Sequence, residues 1–163
     1  MGMHLDLPRH LVDELTDTGS GHTADQCSCE RCERTRVREH LLGAVMLLLA
    51  RRDVSPEARA HREGLIEALL RYAVAGVFPQ NRTRPDAAVP IFVDHVGTHC
   101  AVAHLMALTG EGALVDEVAQ TANGAFVAEL AADPRLLSWL ARQQLSVAEA
   151  ARIQPCYNCP DFF

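Results

Sequence analysis

Five of the six cysteines fall in two short clusters. Cys27, Cys29 and Cys32 form a C-x-C-x-x-C step, and Cys156 and Cys159 form a C-x-x-C step near the other end. Such short steps let neighbouring sulfurs converge on one metal ion or one iron–sulfur cluster. Two C-terminal cysteines cannot complete a four-ligand site alone, so ligand arithmetic expects the two clusters to meet and clamp the ends of the chain. Zinc or an iron–sulfur cluster is then the expected cofactor, with Cys27, Cys29, Cys32, Cys156 and Cys159 as ligands. Five sulfurs exceed the usual four, and His22 is a substitute ligand. Cys32 stands at the expected start of a helix, where the dipole and free N–H groups favour the thiolate, the metal-binding form of the residue. A disulfide or redox pair is the alternative chemistry of the same pattern.

The second concentration of chemistry is residues 94–104. Asp94, His95, His99, Cys100 and His104 are denser in ligand-type side chains than any other stretch. Cys100 and His104 are four apart, which places them on one helix face. The expectation is one polar pocket inside the bundle. In it Asp94, His99 and Cys100 are the catalytic candidates, and His95 and His104 are additional metal ligands. The plainer reading is a packed core helix in which Cys100 acts as a small hydrophobe.

Helices must position both groups. Apolar periodicity predicts helices over 33–52 and from Ser55-Pro56 to about residue 77, with a shorter one over 8–17. A loop follows, then a β-like piece over 90–94 and a helix over 98–108 with Thr98 as its cap. Two stretches follow across 112–132, broken at Asn123-Gly124. A helix carrying Leu136, Leu137, Trp139 and Leu140 comes next, and Ser146 and Glu149 have capping-box spacing for a last short one. The expected fold is an all-α, single-domain helical bundle over 1–163 with short connections. Residues 1–26 form an N-terminal helix and loop, and the clusters at 27–32 and 156–159 form the clamp. The expected core is Leu41, Val45, Leu48, Leu65, Leu69, Val102, Leu105, Leu137 and Leu140. His40 and His61 read as solvated.

Composition narrows the function classes. The 163 residues are 48% hydrophobic and 22% charged, with aromatics at 5%, which suits a globular helical chain. The net charge of −6, with no lysine, argues against a nucleic-acid partner. No apolar run reaches membrane-spanning length, and residues 1–23 lack a signal-peptide pattern. The expected location is therefore cytoplasmic, with an unidentified small molecule or protein as partner.

Phe78-Pro79-Gln80-Asn81, Pro90-Ile91-Phe92-Val93-Asp94, Gly97-Thr98-His99-Cys100-Ala101-Val102 and Ile153-Gln154-Pro155-Cys156-Tyr157 resemble a bacterial helical family with FVD-x-x-GT-x-CAV and IQP-x-Y segments. The resemblance covers about residues 65–157. It implies that Asp94, Cys100 and Tyr157 belong to the family pattern and that the cysteine clusters are additions in this member. It supplies no substrate. Two readings follow: a metal-binding protein, extending to a small metalloenzyme, or a non-enzymatic interaction or regulatory module with structural zinc.

Overall fold

The structure is a computed structural model that describes residues 30–51 and 55–157. The expected helix over 8–17, together with His22, Cys27, Cys29 and Cys159, lies outside the described residues.

Seven helices are found among the described residues: α1 Glu30–Ala50, α2 Pro56–Ala75, α3 Ala101–Leu108, α4 Gly112–Thr121, α5 Val127–Leu130, α6 Pro134–Arg142 and α7 Val147–Ile153. Helix α1 buries Val37, Leu41, Ala44, Val45 and Leu48, one stripe at helical spacing. It packs on α2 and α7; α2 also touches α3, and α3 lies against α4 and α7. The short α5 and α6 complete the layer around α7.

The expected caps at Ser55 and Ser146 hold. Ser55 Oγ accepts from Ala58 N at 3.2 Å, with Pro56 in the first turn. Ser146 and Glu149 close a reciprocal capping box at the start of α7. Helix α2 ends at Gly76, whose φ of +64° favours glycine. A side chain there also lacks space, since an added Cβ comes 2.8 Å from Arg38 Nη2. Arg38 uses that position to donate to the carbonyls of Ala73 and Val74 in the last turn of α2.

Three expectations change. Leu137 is 44% exposed, because Leu136, Trp139 and Leu140 form the buried stripe of α6 and turn residue 137 away. His40 is half-buried rather than solvated; it lies beside the backbone of Arg152 and Gln154, and its Nε2 has no hydrogen-bond partner among the described residues. The helix expected from residue 98 begins at Ala101 with Cys100 as its cap. Residues 98–100 instead run back along 92–94, giving an isolated bridge between Val93 and His99. The expected β-like piece contributes to this bridge, and Val89 pairs in the same isolated way with Tyr157.

One buried polar group joins the far ends of the bundle. Arg62 is 3% exposed. Its guanidinium donates to Gln144 O at 2.6 Å, Leu48 O at 3.2 Å and Glu149 Oε1 at 2.8 Å. Burial pushes the Glu149 carboxyl up, but hydrogen bonds from Arg62 and Ser146 outweigh it and bring it down to about 2.

Two outcomes are expected. Arg62→Leu removes the donor to Glu149 Oε1 and to the carbonyls of Leu48 and Gln144, at a cost of about 3 kcal/mol in urea unfolding. Glu149 titrates lower folded than unfolded. Its contribution is therefore complete above the ordinary carboxyl value of 4.5 and is lost as pH falls toward about 2. Acid unfolding of Glu149→Gln followed by circular dichroism should show a shallower loss across that window.

Candidate functional site

Residues 92–100 form a tight hairpin that holds four of the five candidates from residues 94–104, Asp94, His95, His99 and Cys100. Asp94 N donates to Thr98 O at 2.9 Å and Cys100 N to Phe92 O at 2.8 Å. Gly97, with φ +86°, closes the turn by donating to Asp94 O. The Asp94 carboxylate organises the inside of this turn. Its Oδ1 accepts from Val96 N at 3.0 Å and Thr98 N at 2.8 Å, and Oδ2 accepts from Gln80 N at 3.2 Å. Partial burial pushes the Asp94 carboxyl up, yet these N–H groups outweigh it and hold the acid below its ordinary range. A carboxylate so engaged is a turn-former and a poor proton acceptor.

Asn123 fixes the other edge of the hairpin. Its Oδ1 accepts from Val93 N and its Nδ2 donates to Val93 O, both at 2.8 Å. Its own carbonyl accepts from Phe92 N at 2.9 Å. One side-chain amide thus serves as the neighbouring strand that the hairpin lacks. The sequence reading took Asn123 only as a helix break, although the Asn-Gly pair was the available signal.

Cys100 is fully buried as the cap of α3, its Sγ 3.5 Å from Ala103 N. Burial pushes the thiol up to about 11, so it stays protonated at neutral pH. Two buried tyrosines accompany it. Tyr72 donates to His99 O at 2.7 Å. The Tyr157 hydroxyl lies buried near Tyr72, without a hydrogen-bond partner among the described residues. Burial first, then the surrounding phenol and thiol, raise Tyr157 well above its ordinary range. None of these three is poised as a nucleophile or base.

The expected single pocket is divided by the hairpin. On one side, a cleft of about 420 Å³ reaches from Glu30, Glu33 and Arg34 on α1 to Asp94 and His95, with Tyr157 in its wall. A cleft of about 350 Å³ shares Asp94 and His95 and extends to Asp116 and Asn123. On the other side, His99 and His104 line a third cleft of about 340 Å³ with Arg71 and Tyr72. Cys100 lines none of the three. No three His, Cys, Asp or Glu side chains among the described residues are grouped to hold a metal.

The cysteine ends present different geometry. Cys32 is half-buried in the first turn of α1. One turn further on, Arg36 donates to Glu33 and, through Nη2, to Cys156 O at 2.5 Å. Cys156 itself is disulfide-bonded. Sequence reasoning missed Arg36, which reads as one more charge on a solvated face.

Removing the Asn123 amide strands Val93 N–H and C=O at once. Asn123→Ala is therefore expected to cost about 2–3 kcal/mol in chemical unfolding. Asp94→Asn keeps the shape but weakens acceptance from three N–H groups, and should lower stability by about 1 kcal/mol at neutral pH. Compared with family models, with curated proteins and with solved structures, the chain matches none.

Proposed function

We propose that the protein is a metal-binding helical module in which cysteines from its two ends take zinc or an iron–sulfur cluster. The supporting observation is the hydrogen bond from Arg36 to the Cys156 carbonyl. It ties the turn that carries Cys32 to the segment that carries Cys156. The ligand set is then Cys32 and Cys156 with Cys27, Cys29 and Cys159. Cys32, in the first turn of a helix, suits this role, because the dipole and the N–H groups there favour a thiolate. Cys156 suits it only once its disulfide has been reduced by two electrons, because a disulfide sulfur is no thiolate. A closed thiolate site of zinc is structural, whereas a cluster adds one-electron chemistry. The engaged Asp94 and sealed Cys100 favour binding over catalysis in the rest of the chain.

The Cys156 disulfide favours a second reading: a non-enzymatic interaction or regulatory module whose end is stapled by oxidation alone. One preparation separates the two. Protein purified anaerobically under reductant should carry about one zinc per chain, or be brown with thiolate-to-iron absorption. Cys32→Ser and Cys156→Ser should each lower that content. Protein free of metal under these conditions, with alkylation and intact mass showing a disulfide that resists reduction, would establish the staple and reject the metal site.

A further inference from the structure

We propose that the cleft between α2, the hairpin and α3, where His99 and His104 stand, binds a small organic anion through its carboxylate or phosphate oxygens. This cleft has a different character from its two neighbours. Arg71, Tyr72, Ala75, Val77, His99 and His104 line it, and no acidic side chain does. The other two clefts include Glu30, Glu33 and Asp94, or Asp94 and Asp116. In a chain with net charge −6, a cleft holding one guanidinium, two imidazoles and no carboxylate is set apart electrostatically.

The donors are placed and unspent. The His104 ring stacks on Tyr72 with centroids 4.9 Å apart, and Tyr72 is itself pinned by its bond to His99 O. Neither imidazole makes a side-chain hydrogen bond among the described residues. Arg71 gives one N–H to Glu67 on the exposed face of α2 and keeps its other donors. Ala75 and Val77, the latter 63% exposed, offer apolar cover for a carbon skeleton. A divalent metal fits less well: a third ligand is lacking, Arg71 repels the charge, and the Cys100 sulfur faces Ala103 N.

Protonation should govern affinity. Burial, then the neighbouring His99, holds His104 below the ordinary imidazole range, so it is neutral at pH 7. The charged or titratable groups that line the cleft with it are Arg71 and Tyr72 from α2 and His99 from the hairpin; Glu67 pairs with Arg71, and Cys100 and Asp94 act on Tyr72, the Asp94 carboxylate being engaged by N–H groups. An anion stabilises the imidazolium, so binding tightens as pH falls.

The test is NMR of the imidazole signals of the full chain, with chelator present. Inorganic phosphate and benzoate are titrated separately at about pH 6 and about pH 7.5. The His99 and His104 signals should move with at least one probe, more steeply at the lower pH, and the tighter probe names the anion class. Arg71→Gln should weaken binding about tenfold. His104→Gln should flatten the pH dependence, and His95→Gln, which lines only the other clefts, should change neither. Immobile His99 and His104 signals with both anions, or unchanged affinity in Arg71→Gln, would overturn the proposal. So would tighter binding of zinc to these imidazoles, measured without chelator, than of either anion.

Discussion

The hairpin over residues 92–100 holds together without a sheet. An isolated pair of antiparallel segments leaves backbone donors and acceptors unpaired along both edges, and burying them uncompensated is costly. Here the Asp94 carboxylate takes the N–H groups of Val96 and Thr98 inside the turn and that of Gln80 from the preceding loop, and the Asn123 amide takes Val93 from outside. Gln154 does similar work for the start of α5, accepting from Val127 N at 2.8 Å and donating to Ala125 O at 3.1 Å. Asn81 gathers the loop before the hairpin by donating to the carbonyls of Arg84 and Ala87. The position of α3, and of every cleft around it, rests on these few side-chain groups.

This arrangement explains which parts of the molecule could be read from the sequence. Helical periodicity and caps are local signals, so Leu41, Val45, Ser55 and Ser146 were legible. The density of Asp, His and Cys over 94–104 marked a stretch that runs along three clefts. It did not reveal the hairpin, because nothing local says that Asn123, some thirty residues further on, replaces a strand. With the hairpin unseen, Thr98 read as the helix cap and five candidate side chains read as one pocket. The fold sends them to opposite faces and buries Cys100 beneath.

Polar residues deceived most. Arg62 lies in a helix rich in arginine and glutamate, where burial of one guanidinium has no local signature, yet it is nearly sealed from solvent. Arg36 and Arg38 likewise look like solvated charges. One reaches the Cys156 carbonyl and the other the closing carbonyls of α2. In a chain without lysine, the planar fork of arginine is the cationic group available for such backbone acceptors.

The Arg62 contacts also bear on how the chain acquires its fold. Its partners are separated from it by 14, 82 and 87 positions. During synthesis, α1 and α2 emerge first and can pair, but the guanidinium between them has no counter-ion until residues 144–149 have followed. A fragment ending before Ser146 therefore buries this guanidinium without its carboxylate partner or leaves it wetted, so the contact between α1 and α2 at Arg62 is completed only with the arrival of α7.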